Sequence, residues 1–341
     1  MRRSDAAIEA RLAELKREAA ERGVVTAPGV RPVGSPMPVA SAAAGYYGRP
    51  LLKEPTWTWE VPLYFFVGGA AGAAAVVGAT ARLAGERGAL RRDARWVAAL
   101  GGALSAPLLI SDLGRPERFL NMLRVWKPQS PMSVGAWTLT AFGSAAAAAA
   151  FAELVERRGV GGRVVRVVGD AAEVLSAATG LSMASYTGVL VGATTIPAWN
   201  RSIRLLPIHF TASGLGAAVS LLELLGHRQR ALHRLGTAAA AVEALVAAAQ
   251  ELDPDPALEP LRRGGSGAMV RAGAALAGPL ALVLRLAGAR RLAALCAVAG
   301  SLVTRYAWLE AGKVSARDPA IPLALEGGGD LARRVADKET P

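Results

Sequence analysis

Three stretches of this 341-residue chain run without a single charged side chain: Val61–Ala81 over 21 residues, Pro128–Ala152 over 25 and Val174–Asn200 over 27. A helix needs about 20 predominantly apolar residues to cross roughly 30 Å of hydrocarbon, and each of these runs is long enough. Composition points the same way. Hydrophobic residues make up 52% of the chain and charged residues 19%, against about 25% charged in ordinary soluble domains. Long apolar blocks with so little charge exclude a single soluble domain and an intrinsically disordered chain. The sequence is read as all-α: a polytopic integral membrane protein.

Hydropathy patterning predicts eight spanning helices, near 60–82, 95–113, 133–154, 171–196, 203–225, 235–252, 269–288 and 291–311. Glu243 interrupts the sixth, and Arg285, Arg290 and Arg291 flank the seventh and eighth. Three regions follow. Residues 1–56 form a polar arm, with a short amphipathic helix at 4–22 and then six prolines between Pro28 and Pro55. Residues 57–312 form the membrane domain, and 313–341 a polar tail. The run Gly68-Gly69-Ala70-Ala71-Gly72 predicts a tight helix crossing, since small side chains let backbones approach in lipid; a gap for a flat ligand ring is the alternative. No internal repeat is evident.

A formal net charge of +12 is compatible with nucleic-acid binding in principle. The arginines, however, sit in short loops between apolar blocks, as membrane topology requires, so no nucleic-acid partner is expected. Arginines of the odd-numbered loops outnumber the lysines and arginines of the even-numbered ones. The positive-inside rule then sets both termini outside. No signal peptide is expected, because the first 22 residues are polar throughout. A single cysteine, Cys296, excludes an intramolecular disulfide and a four-cysteine metal or iron–sulfur site.

Ionisable residues at membrane depth are the candidates for chemistry. Asp112 and Arg115 lie three apart where the second span ends, and Pro116 stops a regular helix there. They form either an ion pair closing the helix end or a proton-exchanging pair beside a ligand. Glu60 opens the first span, where a carboxylate suits a helix N-terminus; Trp57, Trp59 and Tyr64 read as interface anchors. His209, in the fifth span, can bond a quinone carbonyl, relay a proton or make an interhelical bond. Tyr186, in the fourth, has a hydroxyl able to reach a carbonyl oxygen. Glu223, Glu243, Arg305 and Glu310 suggest either a polar route or separate ion pairs. No metal site is expected. Haem is disfavoured too, because His209, His227 and His233 are the only histidines and cannot supply two axial ligands at one depth. In the second loop Arg124 and Lys127, among Pro116, Pro128 and Pro131, form a basic surface suited to a docking partner, or to lipid headgroups.

Four stretches in order carry a resemblance: Tyr46-Tyr47-Gly48-Arg49-Pro50 through Trp59-Glu60-Val61-Pro62-Leu63-Tyr64; Asp112-Leu113-Gly114-Arg115-Pro116-Glu117-Arg118 through Pro131-Met132-Ser133; Tyr186-Thr187-Gly188 through Pro197-Ala198-Trp199-Asn200; and Glu310-Ala311-Gly312-Lys313 with Arg317-Asp318-Pro319. With these, the chain resembles the polysulfide reductase membrane subunits, the NrfD-like membrane anchors. The resemblance implies helices grouped partly in four-helix bundles, in the cytoplasmic membrane of a prokaryote. It implies a quinone or quinol, menaquinone or ubiquinone, bound near the outer face without haem. It also implies an iron–sulfur partner subunit, itself joined to a molybdopterin catalytic subunit. By position within the motifs it assigns quinone-site roles to the Asp112, Glu60 and Tyr186 regions. The expected function is electron exchange between the partner's terminal cluster and the quinone pool, by a chain not catalytic alone. A purely anchoring subunit is the alternative, and a transporter a more distant one.

Overall fold

A computed structural model describes residues 52–86 and 88–318. The amphipathic helix expected at 4–22, most of the arm, and the tail beyond residue 318 lie outside the described residues. Among the described residues, eight helices are long and apolar enough to cross a membrane. They are α1 (Glu60–Leu83), α2 (Ala89–Ser111), α3 (Pro131–Arg157), α4 (Gly162–Gly192), α5 (Leu205–Leu224), α6 (Arg230–Leu252), α7 (Gly264–Leu286) and α8 (Arg290–Arg317). No strand occurs among the described residues. The chain is a multi-pass helical membrane protein.

Hydropathy located all eight spans but misplaced several ends. The second begins at Ala89 rather than near 95, and the fourth at Gly162 rather than near 171. Both extensions carry charge into the helix, which is tolerable because the charges pair. Glu173 of α4, 2% exposed, accepts from Arg91 and from Arg95 of α2, the latter at 2.7 Å. Asp170 of α4 takes Arg91 at 2.6 Å and Arg82 of α1 at 3.1 Å. Arg95 also reaches Glu153 of α3 at 3.3 Å. One buried ionic cluster thus ties together all four helices of the first half at one end. The fourth span stops at Gly192, before Ile196, because Pro197 starts the separate short helix Pro197–Arg201. The eighth continues past 312 to Arg317, where its guanidinium pairs with Glu54 at 2.5 Å.

The helices pack as two four-helix bundles. In the first, α1 to α4 form a ring of neighbours; in the second, α5 to α8 do the same. No repeat is visible in the sequence, yet the chain builds the same arrangement twice. The seam runs where α1 meets α5 and α8, and α4 meets α5. The glycines of α1 let it pack closely on α4 within the first bundle and on α5 across the seam. A Cβ at Gly72 would strike the Gly180 backbone of α4, and a Cβ at Gly214 of α5 would strike that of Gly69. The Gly68–Gly72 run is therefore a helix crossing.

The second bundle is braced in its own way. Arg285 of α7 is fully buried and pairs with Glu223 of α5 at 2.8 Å, while bonding the Ser220 hydroxyl at 3.0 Å. Its guanidinium lies on Gly236 of α6, where any side chain would collide with it. Midway along α7, Leu276–Leu280 form a π-helical turn around Pro279, the ring removing one backbone donor. Gly278 in that turn packs on the α6 backbone at Glu243 and Ala244.

Candidate functional site

At the end opposite the ionic cluster, the start of α1, the ends of α2 and α4 and the start of α3 enclose a narrow cleft. Trp57, Val61, Tyr64 and Phe65 form one wall. Leu109, Asp112 and Leu113 come from α2 and its exit, Met132, Gly135 and Ala136 from α3, and Tyr186 and Leu190 from α4. Val61, Tyr64 and Phe65 follow at spacings of three and one, so the helical period aligns them, while Trp57, ahead of the helix, stacks on Trp199.

Local structure fixes each polar group. Pro116 disfavours a helical conformation in the residue before it. Arg115 accordingly is extended, at φ −139° and ψ 89°, and α2 ends at Ser111. Asp112 Oδ1 accepts the Thr58 amide at 3.0 Å and lies 2.8 Å from the Thr58 hydroxyl. The same hydroxyl also contacts Glu60. One hydroxyl proton serves one carboxylate at a time. Asp112, which lines the cleft, and Glu60 thus meet at one hydroxyl, that of Thr58.

The Tyr186 hydroxyl donates to the Pro131 carbonyl at the head of α3. Gly135 leaves the space for it, since a Cβ there would overlap the phenol. Tyr64 is different. It is 1% exposed and lines the cleft, but its hydroxyl has no hydrogen-bond partner among the described residues. Buried hydroxyls are usually satisfied, so an unpaired one facing a cleft fits a ligand acceptor. The sequence reads Tyr64 as an interface anchor; its helical register with Val61 is the one signal that sets it on the cleft side.

Other candidates fall elsewhere. Arg115 makes no ion pair with Asp112 and lies exposed in the loop with Arg124 and Lys127. Glu60, at the first turn of α1, reaches the cleft only through Thr58. His209 is not brought to the cleft. It is buried in the second bundle, with Nε2 3.1 Å from Glu243 of α6 and Nδ1 3.5 Å from Gln250. Phe210 and Trp308 stand edge-on to its ring. Arg305 of α8 is also fully buried and lies over the Phe210 ring at 3.8 Å. Glu223 and Glu243 therefore belong to two separate pairs. His227 pairs with Asp93 at 2.9 Å, near the opposite ends of the helices. Among the described residues, no cluster of three or more His, Cys, Asp or Glu can hold a metal ion.

The cleft wall also leans on the second bundle. Trp57 stacks on Trp199 with centroids 5.4 Å apart, and Trp199 Nε1 donates to the Trp308 carbonyl of α8 at 2.7 Å. Tyr306 of α8 donates to the Trp59 carbonyl at 2.9 Å.

Two four-helix bundles in one chain, with an aromatic cleft at the ends of the first, define a helical membrane protein built around a small apolar site. The chain belongs to the NrfD family: the family model described as "Polysulphide reductase, NrfD" matches residues 52–249, more than half of the sequence. The match takes in α1 to α5, the whole cleft and most of α6. No curated protein matches the chain.

Proposed function

We propose that this chain is the quinone-handling membrane subunit of a multisubunit oxidoreductase, exchanging electrons between an iron–sulfur partner and the quinone pool. The observation that carries the reading is the unpaired Tyr64 hydroxyl in a cleft that Asp112 also lines and that is otherwise largely apolar and aromatic. A flat ring with polar oxygens at its edge fits such a lining. Bound there, a quinone supplies two-electron, two-proton redox chemistry.

The residues of the chain do the rest. Trp57, Phe65, Leu109 and Leu190 exclude water and pack on the ring faces. Tyr64 donates a hydrogen bond to a ring oxygen, where charge develops on reduction. Asp112 gives or takes the proton at its carboxyl, and Thr58 passes it to Glu60. The free space in the cleft is about 50 Å³, well below the roughly 300–1,000 Å³ of small-molecule pockets. Met122 and Met132 also line it. Their unbranched side chains rearrange at little cost and make room for the ring.

Trp57 supplies the test. Titrating the purified complex with a short-chain menaquinone analogue is expected to quench tryptophan fluorescence saturably. Trp57→Phe should remove most of the saturable part while leaving non-specific quenching in place. Only linear, non-saturable quenching in the unmodified protein would refute the reading.

The partner is expected on the loop between α2 and α3. Arg115, Arg124 and Lys127 are exposed there, and Arg124 and Lys127 lie close to the cleft residue Met122 in the chain. A complementary acidic face on an iron–sulfur subunit would approach the ring there. Reversing Arg124 and Lys127 together to Glu is expected to release the partner subunits from washed membranes at ordinary salt. Retention of the full complex would show that these charges are not the main contact.

A further inference from the structure

A second and larger cavity, about 480 Å³, opens at the end of the molecule opposite the cleft, between the α5–α6 and α7–α8 turns. Two glycines with left-handed backbones, Gly226 (φ +104°) and Gly288 (φ +80°), make those turns and line the cavity. Its size lies in the range of ligand sites. Three guanidinium groups border it, those of Arg228, Arg290 and Arg291. None has a carboxylate partner among the described residues. The one carboxylate in the lining, Glu223, is already neutralised by Arg285 at 2.8 Å.

The start of α8 adds to this positive field. Ala289 at its N-cap offers no side-chain acceptor, and although the Arg290 amide donates to the Gly288 carbonyl at 2.9 Å, the N-terminal end of this 28-residue helix carries partial positive charge beside the lining residues Ala289, Arg290 and Arg291. A phosphate group is the natural complement to such a site. The surroundings favour a lipid as its source. The cavity sits at the ends of four spans, and exposed Leu224, Leu225 and Leu286 flank its glycine turns in the chain. Leu292 itself is part of the lining. Guanidinium groups beside exposed leucines match a molecule with an anionic head and acyl chains.

We propose that this cavity is a specific binding site for an anionic phospholipid, its phosphate held by Arg228, Arg290 and Arg291 and its chains laid along the leucines. A basic loop on this side of the membrane would attract anionic lipid diffusely even without a site, so the test needs a matched control. Arg158, Arg163 and Arg166, in the α3–α4 turn and the start of α4, are exposed on the same side, but none of them lines this cavity.

The full chain, purified in detergent, would be given equal amounts of phosphatidylglycerol and phosphatidylcholine and examined by native mass spectrometry. The unmodified protein is expected to retain phosphatidylglycerol by about tenfold or more over phosphatidylcholine, as three cations at one headgroup imply. The triple variant R228Q/R290Q/R291Q should lose that preference, and the control R158Q/R163Q/R166Q should keep it. Melting curves in phosphatidylcholine nanodiscs check folding. If the triple variant fails to fold, the single variant R228Q should still lower retention severalfold. Equal retention of both lipids, or equal loss in the two triple variants, would overturn the proposal. Full displacement by glycerol phosphate at matched concentration would also overturn it, marking the cavity as a site for soluble anions.

Discussion

Asp112→Asn is expected to cut quinol-linked turnover by about tenfold or more, in the range of a lost proton transfer, while activity with an artificial electron dye at the partner stays close to normal. The amide keeps the size of the side chain and an oxygen to accept the Thr58 amide, which Asp112 Oδ1 binds at 3.0 Å. Local structure and subunit assembly should therefore survive. What is lost is the exchangeable proton. The measurement is the ratio of quinone-linked to dye-linked activity in membranes with matched subunit content. Thr58 sharpens it. Thr58→Val breaks the contact with both Asp112 and Glu60 and should lower the same ratio. Thr58→Ser keeps the hydroxyl and should restore it. An unchanged ratio in Asp112→Asn would make Asp112 a purely structural cap on Thr58 and shift the proton-exchanging role to Glu60.

The second large effect is on stability. Glu173→Gln removes the most buried carboxylate of the cluster, which accepts from both Arg91 and Arg95 in the first bundle. Breaking a buried ion pair by deleting one partner typically costs about 3–5 kcal/mol, because the remaining charge stays buried and under-compensated. Asp170 and Glu153 still contact these arginines, but from positions 30% and 14% exposed rather than 3%. Unfolding in a mixed detergent series should show a midpoint for Glu173→Gln far below that of the unmodified protein. Glu153→Gln should fall by much less. Similar midpoints for the two variants would mean that the cluster shares its charge evenly and has no central member.

Much of this architecture is legible in the sequence because lipid imposes one rule, that a span be apolar for about 20 residues. All eight spans follow from it. The rule fails where charges cancel. Arg91 and Asp170 look like loop residues singly, and only pairing across α2 and α4, together with Arg95 and Glu173, lets them enter the helices. The site divides in the same way. Local motif and chemistry single out Asp112 and Tyr186 in the sequence, and both line the cleft. Tyr64 was missed because its significance is an unmade bond, which no sequence displays. His209 was placed with them on chemistry and depth alone, and depth does not say which bundle a residue faces. Its partner, Glu243, lies on a helix that takes no part in the cleft.

The cleft belongs to the first bundle, yet its first wall is held from the far end of the chain. Trp57 rests on Trp199, Trp199 is pinned by the Trp308 carbonyl, and Tyr306 fastens Trp59. During synthesis α1 enters the bilayer first and α8 last. Residues that will line the cleft are therefore made early and left without their backing until translation is nearly over. A ribosome-bound intermediate with seven spans would have every cleft side chain except the brace behind them. Loading of the site is thereby deferred to the finished polypeptide, and a chain truncated before Trp308 would reach the membrane with its cleft unclosed.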